Sequence, residues 1–324
     1  MESTYDPPVL QRPLRVWAVS EQKIGTLSQC LGVGRYFDPT PLEKIIVPRH
    51  GLKRLLAPPI FRRSEPEPDI LISCGYRPEK PVLKAKRAFG NRPIAIHLQR
   101  PEIEGYDYVF VSRHDWTDEL SSRSNYFPMV GVPHRLSPHV IEERRASARA
   151  TYSPDDGKVA GVFVGGANGA YEYDPLALNS IVGAVTHLQE QGWRVLVSTS
   201  RRSSEATLEQ LLRLRSDRVQ VWDGTLPNPY LDFVAAADAY LIAKDSITMP
   251  CEALASGKPV YSLDLTKIQG PRLEKFERFH SDLQQTLRLT RPFEGSLEPY
   301  DYEPLNEAAR LSAIIRDEMS LPAR

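Results

Sequence analysis

A chain of 324 residues, 41% hydrophobic and 25% charged, has the composition of a soluble globular protein of about two domains of roughly 150 residues each. Its 41 Lys and Arg balance its 41 Asp and Glu, and a pI near 7.1 argues against nucleic-acid binding as the main activity. Three cysteines, Cys30, Cys74 and Cys251, with no CxxC pair and no His at ligand spacing, exclude a disulfide framework and a zinc site and point to a reducing compartment.

From the start of the chain, the polar, Pro-rich opening lacks the pattern of a secretory signal. No apolar stretch approaches the roughly 18 residues that span a bilayer, so a cytoplasmic location is expected. Short apolar runs at 14–19, 44–47, 69–73, 93–98 and 106–112, separated by helix-length or loop-rich segments, predict one parallel sheet. The segment 57–69 reads as a surface loop. Arg54, Arg62, Arg63, Lys84, Lys86 and Arg87, close to Leu55, Leu56, Ile60 and Phe61, leave open a peripheral contact with the inner membrane face; a solvated surface is the alternative. The charged run 142–150 reads as a helix, and 151–158 (TYSPDDGK) as an interdomain linker. The predicted domains are therefore 1–150 and 159–300, with a last segment, 301–324, that carries an amphipathic helix at 306–319.

The second half holds the clearer chemistry. An apolar strand at 159–164 ends in Gly165-Gly166-Ala167-Asn168-Gly169, where glycines let backbone amides approach a phosphate, although an ordinary βα turn looks the same. The strand 194–198 delivers Thr199, Ser200, Arg201 and Arg202 to the same sheet edge, where adjacent arginines suit a diphosphate or merely begin a solvated helix. The strand 239–243 stops at Lys244-Asp245-Ser246; Ser246, Thr248 and Pro250 then signal a helix start and Gly257 its stop. Glu252, within the first two turns, can accept ligand hydroxyls or stand solvated. Three loops of this kind at strand ends suit a nucleotide sugar, whose phosphates and hydroxyls match them. Further strands are expected at 219–222 and 259–263.

Residues 162–169, Ser200-Arg201-Arg202, Asn228-Pro229-Tyr230 and 245–260 resemble the signature blocks of the elongate-mitochondria family, which groups plant mitochondrial-fission factors with bacterial glycosyltransferase-like proteins. In the first half, 106–115 (YDYVFVSRHD) looks like the family's strand ending in His-Asp, 125–135 is similar to its Asn, Gly and His-Arg block, and Gly25 and Gln29 match its first loop. Glu21 and Gln22 depart from the family's usual Asp-Gly pair, Ser112 from a usual Pro, and Pro250 from an apolar position.

The resemblance implies two facing doubly wound Rossmann-like α/β domains with a cleft between them, the GT-B arrangement, in which the last helix returns to the first domain. It implies a glycosyltransferase acting in cell-envelope or surface glycan synthesis. The donor side would comprise Gly165, Gly166, Asn168, Ser200, Arg201, Arg202, Asp245, Ser246 and Thr248, with Glu252 on the ribose hydroxyls and Tyr230 near the base. An acceptor, a glycan or a lipid-linked one, falls to the first domain through Gly25, Gln29, His97 and Gln99. Glu21, His114 and Asp115 are the candidates for a general base. No DxD motif sits at a strand end, so no metal and no cofactor beyond the nucleotide sugar is expected. A nucleotide-sugar 2-epimerase of the same architecture and a non-catalytic adaptor stay open. A dinucleotide dehydrogenase is disfavoured, since Phe37 stands where Gly32-Val33-Gly34 would need a third glycine.

Overall fold

The computed structural model describes residues 14–47, 65–225 and 227–319. Arg54, Arg62 and Arg63, with the apolar residues beside them, lie outside the described residues. The contacts divide the chain into two units, Met1–Arg135 with Asn306–Arg324, and Leu136–Leu305.

In the first unit β1 (Val16–Glu21), β2 (Leu42–Ile46), β3 (Ile70–Cys74), β4 (Ile94–Leu98), β5 (Tyr108–Ser112) and β6 (Tyr126–Met129) form a parallel sheet in the order β2-β1-β3-β4-β5-β6. Strands β1 and β3 are buried along their whole length, as in a parallel sheet covered by helices on both faces, and they are largely apolar apart from Ser20, Glu21 and Ser73. Strand β6 was not legible as a strand: Pro128 interrupts a short run, which is tolerated because β6 is an edge strand. Helices α1 (Ile24–Gly34) and α2 (Tyr76–Ala88) follow β1 and β3. The chain steps from β1 to β2 on one side and then to β3 on the other, so the carboxyl ends of β1 and β3 form a switch point where the loops part.

The second unit begins with helix α3 (Pro138–Tyr152), which corrects the sequence-based boundary: the break falls after Arg135, and no linker lies at 151–158. The cause is a row of arginines reaching across the sequence. Arg145 pairs with Asp238 at 2.7 Å, Arg149 with the same carboxylate at 2.9 Å, and Arg144 with Asp232, while Tyr152 packs edge-on against Phe233 at 5.1 Å. Strands β7 (Val159–Phe163), β8 (Arg194–Ser198), β9 (Val219–Val221), β10 (Ala239–Ala243), β11 (Val260–Leu263) and β12 (Arg291–Pro292) form a second parallel sheet, ordered β9-β8-β7-β10-β11-β12. Its switch point lies between β7 and β10. Helices α4 (Pro175–Glu190), α5 (Glu205–Leu212), α6 (Tyr230–Ala236), α7 (Thr248–Leu254) and α8 (Pro271–Ser281) complete the unit. Asp174 starts α4 by accepting the Ala177 amide at 2.8 Å, with Pro175 at the first helical position.

The final helix, α9 (Glu307–Glu318), packs on the first unit. Ala308, Leu311 and Ile315 enter its core beside Val33 and Phe37, and Glu307 accepts the Val130 amide at 2.8 Å.

Candidate functional site

In the second unit the loops after β7, β8 and β10 meet on one carboxylate, Asp245, only 1% exposed. Its Oδ2 accepts from the Gly166 amide at 2.8 Å and from Arg202 Nη2 at 3.0 Å, and its Oδ1 from the Tyr173 hydroxyl at 2.8 Å. Asn168 Nδ2 donates to the Asp245 carbonyl at 3.0 Å, and Arg202 Nη1 to the Gly166 carbonyl at 3.0 Å. Burial holds the Asp245 carboxyl above its usual range, and the Gly166 amide, Tyr173 and Arg202 pull it back.

This knot explains the glycines. A β-carbon at Gly165 would lie 1.9 Å from Asp245 Oδ2, and one at Gly166 would lie 2.2 Å from the Arg202 carbonyl. The Gly-rich turn therefore exists first to let three loops touch. The Gly166 amide, assigned from the sequence to a phosphate, instead serves Asp245; Arg202, its side chain 45% exposed, is tied to the same carboxylate. Asp245 is thus an internal brace. Asn168 Oδ1 accepts the Ala170 and Tyr171 amides, and Ser200 Oγ the Arg202 amide, so both shape their loops.

The remaining groups surround this brace. Arg201 is exposed. Ser246 Oγ accepts the Met249 amide at 3.1 Å, and Thr248 opens α7, where Pro250 is harmless because the first-turn amides have no partner within the helix. Tyr230 donates its hydroxyl to Glu252 Oε2 at 2.8 Å and lays its ring against Phe163 at 4.9 Å. Asn228 Oδ1 accepts the Tyr230 amide at 2.9 Å. Tyr173 was not read from the sequence as a site residue; a polar aromatic just beyond the glycine turn was its only signal.

In the first unit Glu21, 5% exposed, ends β1 at the switch point, with Lys23 Nζ 3.2 Å and Arg77 Nε 3.4 Å from its carboxylate. Gly75, at φ +84°, turns the chain after β3 so closely that a β-carbon there would meet Glu21 Oε1 at 3.2 Å. Gln29, on α1 where Gly25 lies in the first turn, accepts at Oε1 from Cys74 Sγ at 3.3 Å and Gln99 Nε2 at 3.4 Å, which ties β3 and β4 to the helix. Gln99 holds an uncommon left-handed backbone at φ +92°.

His97 departs from the expectation of an acceptor contact. It is 0% exposed, bonded through Nδ1 to Ser73 at 2.9 Å and packed on Tyr106, and burial lowers its pKa to about 3. It is a neutral core residue, because its side chain enters the layer beside the sheet instead of reaching the strand end. His114 and Asp115 form the short turn after β5, with Nε2 and Oδ2 3.6 Å apart. Three strand spacings, about 14 Å, separate β1 from β5, so Glu21 and the His114–Asp115 pair stand at different points along the edge of the sheet.

The profile of the mitochondrial fission ELM1 family matches residues 24–319. The chain belongs to that family. It is 23% identical over 278 residues to the mitochondrial fission protein ELM1 of Arabidopsis thaliana, across 78% of this chain and 64% of that protein, so the match spans less than two thirds of the plant relative. An uncharacterized protein of Rickettsia prowazekii is 22% identical over 356 residues, covering 94% of this chain and 98% of that one. Among solved structures, the UDP-GlcNAc 2-epimerase from Neisseria meningitidis bound to UDP-GlcNAc aligns at a TM-score of 0.51 and 12% identity, over 95% of this chain and all of that chain. That likeness carries the fold: two Rossmann-like parallel-sheet units of the GT-B type.

Proposed function

We propose that this chain is a metal-independent glycosyltransferase that takes a nucleotide sugar on its second unit and a glycan or lipid-linked acceptor on its first, in cell-envelope or surface glycan synthesis. It would work in the cytoplasm and need no cofactor beyond the donor. Among the described residues no helix is long and apolar enough to cross a membrane. The observation that supports the reading most is the meeting of three βα loops on Asp245 at the switch point of the second sheet, where open α/β sheets bind their ligands. The structurally similar epimerase was solved with a sugar nucleotide bound.

In this reading the brace fixes the loops, and exposed Arg201 with the start of α7 meets the diphosphate. On the first unit, position favours Glu21 as general base: it ends β1 at the switch point of the sheet, whereas His114 and Asp115 stand three strands away. Arg201→Ala should then weaken binding of a nucleoside diphosphate about tenfold and of the bare nucleoside hardly at all, measured by calorimetry. Equal losses for both ligands would make Arg201 structural.

A second reading has its own support. The Gly166 amide, Arg202 and the Met249 amide all spend donors on the protein's own side chains, which suits an adaptor that no longer handles phosphate. Following release of nucleoside diphosphate from a panel of nucleotide sugars, with and without lipid-linked glycan extract, separates the readings. Acceptor-dependent release supports the transferase. Sugar inversion without acceptor would indicate the epimerase, and binding with neither reaction the adaptor.

A further inference from the structure

Tyr230 makes two contacts that fix it in place. Its ring lies on Phe163, the last residue of β7, and its hydroxyl reaches Glu252 on α7, the helix that follows β10. The side chain therefore links β7 to the helix that follows β10, with its backbone held by Asn228. The tilted contact with Phe163 and the hydrogen bond to Glu252 hold Tyr230 through the protein itself, so its place does not depend on a nucleobase.

We propose that Tyr230 is a positioning residue that aims the Glu252 carboxylate at the ribose hydroxyls of a bound nucleotide. The proposal rests on the donor-site reading of the second unit and deepens it to a preference for ribonucleotides. An ionised carboxylate only accepts hydrogen bonds, so it recognises a vicinal diol and gains nothing from a sugar that lacks one. A glutamate side chain on its own samples several rotamers and must be ordered on binding; a phenol fixed by aromatic packing removes part of that cost in advance. Burial and the neighbouring carboxylate push the Tyr230 phenol well above its ordinary pKa, so the group stays a donor at neutral pH.

Tyr230→Phe deletes one oxygen and keeps the ring on Phe163. Calorimetry would use whichever of UDP, CDP, GDP and ADP the wild type binds, together with the matching 2′,3′-dideoxy analogue. Wild type should prefer the ribonucleotide by at least tenfold. Tyr230→Phe should lose about tenfold in ribonucleotide affinity and keep its affinity for the dideoxy analogue. Glu252→Gln, which keeps the volume, should erase most of the preference and supplies the test if Tyr230→Phe folds poorly. Equal loss for both ligands, or no loss for either, overturns the role of Tyr230 while the donor site stands. A wild type that binds none of the four nucleotides removes the donor site and this proposal with it.

Discussion

Asp245→Ala should destabilise the second unit by about 3 kcal/mol, the largest stability loss expected from any single side chain of the site. The substitution leaves the Gly166 amide and the Tyr173 hydroxyl buried without their acceptor, and each such orphan costs about 1–3 kcal/mol. Arg202 adds little, because its half-exposed side chain can return to water. For a unit of this size the loss corresponds to a fall in Tm of roughly 6–12 °C. Urea denaturation checks it, and a change below about 1 kcal/mol would show that the three loops hold together without the carboxylate. Nucleotide affinity should fall in the same variant, since the brace sets the loop geometry.

Glu21→Gln should cut turnover by about 100-fold or more while nucleotide binding stays intact. The amide keeps the volume between Lys23 and Arg77 but cannot take a proton. His114→Ala, some three strands away, should have a much smaller effect. Single-turnover rates at saturating donor, with affinity measured separately, distinguish chemistry from binding. If His114→Ala proves the crippling change and Glu21→Gln does not, the base lies at the end of β5. Weakened nucleotide binding with unchanged saturated turnover in both variants would mean that the donor and acceptor units have been assigned the wrong way round.

The two sheets were legible because central parallel strands such as ILISC at β3 and AYLIA at β10 are buried on both faces and appear as nearly unbroken apolar runs. The edge strands β6 and β12 gave no such signal: YFPM carries a proline, and β12 is two residues long. The attachment of α3 to the second unit was hidden for another reason. It depends on ion pairs between Arg145, Arg149 and Asp238, about ninety positions apart, and local patterning carries no information about such partners. The glycine turn and the Arg pair stood out as site elements, yet the reason for them did not. Glycine is needed at 165 and 166 because Asp245 and Arg202 press against the turn, a steric fact that appears only when the loops meet. His97 was misplaced because a residue near a strand end can point into the layer as readily as towards the edge, and one position decides which.

The central claim is that the second unit binds a nucleoside diphosphate, and thermal unfolding against UDP, CDP, GDP and ADP tests it directly. At a hundredfold excess over the dissociation constant, one of the four should stabilise the protein by about 2.7 kcal/mol, with a smaller shift in Arg201→Ala at the same concentration. An unchanged unfolding temperature with all four up to millimolar concentration would contradict the account.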